Sequence, residues 1–370
     1  MKKTIVIVLI VLIVAGAGGF FIGRAVGSGK YKAENELNVQ LKRSELEGLG
    51  KIEGTIYVTG HKSPDADTVV SAIAYATLLE KLGYDAQPVV LGGINKETAY
   101  VLNSAGVNTP ATLDSAAGKN IVLVDHSELS QTASGMESAN IISIVDHHNL
   151  GTATSKSPLI YDARPIGATA TVIWMRYRDY GVEIDKSTAT LMLGAILSDT
   201  SNFKSGTTTS ADKEAIKALK PISGISDTDA FYREMYKASI SYDGMTDEEV
   251  FYSDYKEYES NGTHFCIGCV NAYDEDAAKA LCERMKETMP KLKEANGSDL
   301  MFAQVSIFHD DISVTYIVPC EERGAEIIEE AFGERAAKSG ASYRFEPGMS
   351  RKQVLVPAIM GVLTAETPAE

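Results

Sequence analysis

Four short segments carry acids and imidazoles at spacings that suit metal chemistry. They are His61-Lys-Ser-Pro-Asp65-Ala-Asp67, Asp125-His126, Asp146-His147-His148 and Ser198-Asp199-Thr200. Each alone has a plainer explanation: the first as a turn with an Asx cap, the last as a helix cap. Together they demand more. Carboxylates packed side by side raise one another's pKa and require positive charge nearby. The histidines add neutral nitrogen donors. A mixed imidazole and carboxylate set suits Mn²⁺, Co²⁺, Fe²⁺ or Zn²⁺ better than Mg²⁺ or Ca²⁺, which prefer oxygen alone. His61, Asp65, Asp67, Asp125, His147 and Asp199 are too many ligands for one open catalytic ion and about right for a pair. Paired divalent ions favour in-line displacement at phosphorus.

Such residues act together only if the chain folds them to one place. Thr55-Ile-Tyr-Val-Thr59, Ile121-Val-Leu-Val124 and Ile141-Ile-Ser-Ile-Val145 are near-continuous apolar runs, and each leads into acids or histidines. Runs of this kind predict strands buried on both faces of a parallel sheet. Open α/β sheets bind ligands outside the carboxyl ends of their strands, so the acids can converge there. Val70, Ile73, Ala74 and Leu78 have helical spacing, which predicts a helix over 68–82 ended by Gly83. Helices are expected near 167–180 and 187–198, the second delivering Asp199.

The fold class expected is α/β. An N-terminal domain over 55–220 has a mainly parallel sheet flanked by helices. A linker at 221–230 leads to a smaller α+β domain with a mixed sheet over 231–364. There, apolar stretches at 251–259 and 264–270 flank Asn261-Gly262, a type I′ hairpin signal. The turn also accounts for the Asn261-Gly-Thr263 sequon. Helices near 274–289 and 323–337 and strands near 300–308 and 312–318 follow. Thr209-x-x-Asp212 reads as a capping box and is assigned no chemistry. Cys266 and Cys269 lie three apart on a predicted strand, hence on opposite faces. With Cys282 and Cys320 they read as ordinary buried thiols.

Ahead of these domains, residues 4–22 carry no charge and are rich in Ile, Val and Leu. At about 1.5 Å per residue such a run spans a hydrocarbon core, so a transmembrane helix is expected over 1–25. The run continues through Phe20, Phe21 and Ile22, which favours an uncleaved anchor over a signal peptide. Residues 26–54 read as a charged stalk, partly helical over 32–46. Lys and Arg on the body side of the span place the body on the cytoplasmic face. The net charge of −15 over 370 residues excludes nucleic acid, whose backbone requires basic stripes. It does not exclude a small anion, because bound divalent ions reverse the local sign.

The motifs resemble those of the DHH phosphoesterase superfamily, and within it the family II (manganese-dependent) inorganic pyrophosphatases with a DHHA2-type C-terminal domain. The carrying segments are Gly60-His-Lys-Ser-Pro-Asp-Ala-Asp67, Val124-Asp-His-Ser-Glu128, Val145-Asp-His-His148, Gly167-Ala-Thr-Ala-Thr171, the stretch from Leu191 to Thr200, Phe203-Lys-Ser205 and Ser350-Arg-Lys352 before Val356-Pro357. The resemblance covers roughly residues 55–360. It implies hydrolysis of pyrophosphate to two orthophosphates by a hydroxide between two Mn²⁺ ions per chain, in a cleft between the domains. Co²⁺ or Mg²⁺ are the implied substitutes. One ion would be held by His61, Asp65 and Asp125, the other by Asp67, Asp125, His147 and Asp199, with Asp125 bridging. His148 would face the substrate. Arg351 and Lys352, with Lys237, would form the phosphate clamp. A homodimer is the candidate assembly.

Ser63, Ala66, Ser127, Gln353 and Val354 stand where the family commonly has Asn, Thr, Asn, Lys and Gln, and none of these departures removes a metal ligand. Two rivals are weighed. A DHH phosphodiesterase acting on cyclic dinucleotides or short oligonucleotides usually carries a glycine-rich, histidine-containing motif in its second domain, where this chain has Ser350-Arg-Lys352. A non-catalytic membrane-bound phosphate sensor is opposed by the complete ligand set.

Overall fold

The apolar runs do become strands, and the computed structural model places them in two sheets. It describes residues 33–309 and 312–365, which divide into two compact units between Ser239 and Ile240.

In the first unit, helix α1 spans 33–47. Strand β1 (Ile56–Thr59) and helix α2 (Ala66–Lys81) follow, then β2 (Ala86–Val90), α3 (Lys96–Ala105), β3 (Ala111–Thr112), β4 (Asn120–Val124), β5 (Asn140–Asp146) and β6 (Ile160–Ala163). Helices α4 (Thr169–Asp179), α5 (Lys186–Asp199), α6 (Ser210–Ser223) and α7 (Thr228–Ser239) complete it. The six strands lie in the order β3-β2-β1-β4-β5-β6 and every pair is parallel. All carboxyl ends therefore share one edge. The order reverses between β1 and β4, which in a doubly wound sheet is where a ligand crevice opens.

Helix α5 is apolar all round, with Leu191, Met192, Leu193, Ile196 and Leu197 buried, so it runs through the core rather than over it. Asp185 caps its start by accepting a hydrogen bond from the Thr188 amide. Helix α1 docks on the same unit: Leu46 is buried, and the Arg43 Nε donates to the Tyr180 carbonyl at 2.9 Å beyond the end of α4.

The second unit contains α8 (Asp247–Tyr252), β7 (Tyr255–Ser260), β8 (Thr263–Asn271), α9 (Glu275–Asn296), β9 (Leu300–His309), β10 (Ile312–Pro319), α10 (Glu322–Phe332), β11 (Ala337–Ser339), β12 (Ser342–Phe345) and α11 (Val356–Ala365). Its six strands run β11-β12-β10-β9-β8-β7, with β8 and β9 parallel and the other pairs antiparallel. Side chains alternate across this sheet. Met301, Ala303 and Val305 pack with Met285 and Met289 of α9, while Phe302 and Ile317 pack with Ile327 of α10 and Ile359 of α11. Asn261 and Gly262 have φ of 50° and 76°, as a type I′ hairpin turn requires.

Several expectations are corrected. The transmembrane helix expected over 1–25 is not retained: among the described residues no helix is long and apolar enough to cross a membrane. The longest, α9, has 22 residues but carries Lys, Glu, Asp and Arg along its length. Residues 4–22, on which the anchor and the cytoplasmic-face placement rested, lie outside the described residues, and neither assignment is retained. Phe251 and Tyr252 belong to α8 rather than to a strand. Helix α10 stops at Phe332 instead of running to 337, because Gly333 turns the chain at φ 55°.

Candidate metal centre

His61 follows β1, Asp125 follows β4, His147 follows β5 and Asp199 is the last residue of α5. Asp65 caps α2, and Asp67 sits in that helix's first turn. The strand order brings all six together. Three sets of side chains have ligand atoms within 4.8 Å of one another: His61, Asp65 and Asp125; Asp67, Asp125, His147 and Asp199; and Asp125, His147 and His148. Asp125 belongs to every set and is 1% exposed. Its φ of 64° lies in the left-handed region, which Asp tolerates better than most residues and which turns the chain sharply off β4.

Each ring is aimed by its backbone. His147 Nδ1 lies 2.9 Å from the Ile166 carbonyl and His61 Nδ1 lies 2.8 Å from that of Lys62. A carbonyl only accepts, so Nδ1 must donate, and in the neutral ring Nε2 holds the lone pair. His147 Nε2 faces Asp199 Oδ2 at 3.2 Å and Asp125 Oδ1 at 3.4 Å, is buried, and makes no aligned hydrogen bond. His61 Nε2 lies 3.5 Å from both Asp65 Oδ2 and Asp125 Oδ2. In the neutral rings, lone pairs aimed at carboxylates call for a positive charge between them, a proton or a metal cation. The donor set therefore fits divalent metal.

The carboxylates are also held. Thr68 Oγ1 donates to Asp125 Oδ2 at 2.6 Å, and Thr169 Oγ1 to Asp125 Oδ1 at 2.9 Å. The amides of Thr169 and Ala170, opening α4, donate to Asp67 at 2.6 and 2.9 Å. Gly60 permits the first of these contacts: a Cβ there would collide with the Thr68 side chain. Asp146 is fully buried and accepts from the His147 amide at 2.8 Å, the His148 amide at 3.0 Å and His148 Nδ1 at 3.1 Å. It shapes the turn that carries both histidines. Ser198 Oγ donates to Glu97 at 2.9 Å, tying the end of α5 to α3 beside Asp199.

The electrostatics show the same demand for positive charge. Burial opposes the charged form of His61, but hydrogen bonds to Asp125 and Asp65 outweigh it and lift the ring to about 11. His147 rises to about 12 against burial, through Asp125 and Asp199. Burial raises Asp67, and the charges of Asp125 and Asp199 raise it further. Asp125 resists its own burial and falls well below the usual carboxylate range, because His147 and His61 face it. Without metal the cluster balances itself with protons.

His148 is half exposed and helps line a cavity of about 560 Å³ with His61, Asp125, Lys62, Glu128 and Asn149. Lys237, on α7, pairs with Glu234 at 2.9 Å. Arg351 and Lys352 belong to the second unit, in the π-helical turn over Arg351–Leu355 that precedes α11. Arg351 pairs with Asp254, and Lys352 is exposed. Reading the sequence missed Asp146, Thr68, Thr169 and Glu97. Asp146 gave a signal by standing beside two histidines at a strand end; the two threonines and Glu97 reach the site only through the fold.

Residues 55–196 match the DHH family's N-terminal domain, and residues 233–362 match the DHHA2 domain. The doubly wound sheet with its acidic edge, followed by a mixed-sheet unit, is thus a two-domain protein of the DHH class. The "Manganese-dependent inorganic pyrophosphatase" of Methanocaldococcus jannaschii is 37% identical over 311 residues, 82% of this chain and 97% of that one. A "Probable manganese-dependent inorganic pyrophosphatase" of Archaeoglobus fulgidus is 35% identical over 320 residues, 83% of this chain and 98% of the relative. The crystal structure of a Methanococcus jannaschii protein assigned to the family II inorganic pyrophosphatases superposes with a TM-score of 0.51 at 36% identity, covering 84% of this chain and 100% of that one. The chain belongs to the family of manganese-dependent inorganic pyrophosphatases.

Proposed function

We propose that this chain hydrolyses inorganic pyrophosphate to two orthophosphates as a manganese-dependent enzyme. One observation carries the reading: a single buried carboxylate, Asp125, is shared by two sets of ligand atoms in which the Nε2 atoms of His61 and His147 are turned toward carboxylates. In this account His61, Asp65 and Asp125 hold one Mn²⁺, and Asp67, Asp125, His147 and Asp199 hold the other. Bound there, the ions would neutralise the carboxylates, polarise phosphate oxygens and acidify water. The catalytic domain is taken as 55–220, the linker as 221–230 and the substrate-binding domain as 231–364.

The chain's own groups do the rest. The Ile166 and Lys62 carbonyls keep the rings of His147 and His61 turned with Nε2 inward. Thr68 and Thr169 hold Asp125 by one hydroxyl on each oxygen. Asp146 orients His148, whose Nδ1 it engages, so that Nε2 is the atom left to meet a phosphate oxygen. The hydrogen bond to Asp146 raises the pKa of His148 against a smaller opposing effect of burial and favours the protonated, donating form. Arg351, Lys352 and Lys237 supply positive charge to the phosphates, Arg351 by its fork and the lysines as point charges.

The test is orthophosphate release from pyrophosphate by the purified chain, titrated with Mn²⁺ and Mg²⁺, beside a cyclic dinucleotide. Turnover of pyrophosphate with Mn²⁺ supports the reading. Hydrolysis of the dinucleotide alone would move the protein to the phosphodiesterase branch of its class.

A further inference from the structure

Two of the three cations read as pyrophosphate ligands are already engaged by carboxylates. The Lys237–Glu234 pair is an i,i+3 contact on a helix surface, which yields easily. The other is built differently. One residue, Asp254, takes both terminal nitrogens of Arg351: Nη1 donates to the Asp254 carbonyl at 2.8 Å and Nη2 to Asp254 Oδ1 at 2.7 Å. Nη1 also reaches the Ile267 carbonyl at 3.4 Å. The Arg351 side chain is only 11% exposed, whereas that of Asp254 is 60% exposed. Asp254 lies between α8 and β7, away from the metal ligands in sequence and in the other unit. Neighbouring Lys352 has no such partner among the described residues.

A guanidinium recognises a phosphate by offering two adjacent N–H groups and a full positive charge. Here the Nη1–Nη2 edge is spent on Asp254, and a carboxylate 2.7 Å away cancels much of the charge. We propose that Asp254 sets the affinity for pyrophosphate by competing with it for Arg351. This rests on the reading of Arg351 as a phosphate ligand. The carboxylate keeps the arginine ordered and partly neutralised until a more highly charged anion displaces it. It sets the substrate concentration at which the enzyme half-saturates and leaves the chemistry at the metals untouched.

The experiment is steady-state pyrophosphate hydrolysis by the full chain as Asp254→Asn, Arg351→Ala and the double variant, all loaded with Mn²⁺. Asp254→Asn keeps the shape of the site and, at an exposed position, folds normally. Expected is a KM lowered by about fivefold to tenfold at nearly constant kcat. Arg351→Ala raises KM, and adding Asp254→Asn to it changes nothing more. If Arg351→Ala raises KM but Asp254→Asn leaves it unchanged or raises it, Asp254 does not compete and the proposal is wrong. A lower KM that survives in the double variant assigns the effect to Asp254's field rather than to Arg351, and also overturns it. If Arg351→Ala alters neither KM nor kcat, the underlying reading of Arg351 fails instead.

Discussion

Both units are built on six strands, yet they handle charge in opposite ways. In the all-parallel sheet every strand ends at one edge, so the acids that follow β1, β4 and β5 crowd together with Asp199 and outnumber the histidines facing them. In the mixed sheet the antiparallel strands alternate direction and no such edge forms. Its charges are settled locally: Arg344 with Glu275 and Glu346, Lys293 with Glu321, Arg351 with Asp254. Uncompensated charge concentrated by topology creates a demand for cations, whereas charge paired residue by residue creates none. The first arrangement invites metal ions, whereas in the second an arginine such as Arg351 is already matched by a carboxylate that an incoming anion must displace.

The largest effect should come from removing the carboxylate at the centre of the crowded edge. Asp125→Asn is expected to lower kcat by on the order of 10³-fold or more and to weaken Mn²⁺ binding at both positions. Near-normal turnover would show that Asp125 is not shared. Asp146→Ala removes the acceptor for two amides and one imidazole while leaving every ligand in place. It should cost about 10-fold to 100-fold in activity or metal affinity, as losses behind the ligands do. A stability loss with unchanged turnover would make Asp146 merely structural. Gly60→Ala drives a Cβ into the Thr68 side chain, so roughly 1–3 kcal/mol of stability should be lost, read by denaturant unfolding.

Much of this was legible in the sequence, because β1, β4 and β5 are largely buried and so read as nearly unbroken apolar runs, with Ser143 within β5 a polar exception, its hydroxyl donating to the Ile160 carbonyl. Five of the six converging acids and histidines follow the ends of β1, β4 and β5, Asp199 closes the apolar helix α5, and the I′ hairpin shows in Asn261-Gly262. What stayed hidden has a common cause. The β2 run, Ala86-Gln-Pro-Val-Val90, contains polar and proline residues because β2 is flanked by the two-residue β3, near the sheet's margin. Thr68 and Thr169 look like ordinary helix residues, and their hydroxyls reach Asp125 across 57 and 44 positions of chain. Arg351 and Asp254 stand 97 apart. Local pattern carries no signal for such pairs.

Proton linkage offers a subtler contrast between the units. His61 at about 11 and His147 at about 12 are protonated at neutral pH in the metal-free chain. Metal must displace those protons, so apparent Mn²⁺ affinity should rise with pH and binding should release protons. Calorimetry in buffers of different ionisation enthalpy measures the release, and none would count against the assignment. The sign for stability is the reverse. Both pKa values are raised above the unfolded value of about 6.5, so the stabilisation is fully present below that pH and is lost as pH climbs toward 11–12. The smallest effect is expected in the second unit. Arg344→Ala breaks two surface pairs and should change stability by no more than about 1 kcal/mol, with pyrophosphate turnover unaffected.

The two cations proposed for one crowded edge, joined by a shared aspartate, can be counted. The measurement is equilibrium binding of Mn²⁺ to the purified chain, counted per chain beside pyrophosphate turnover. Two ions are expected per wild-type chain, one retained when His61 is replaced by Ala, with hydrolysis only when both are bound. A single ion at saturation, or full hydrolysis with none, would contradict that pairing.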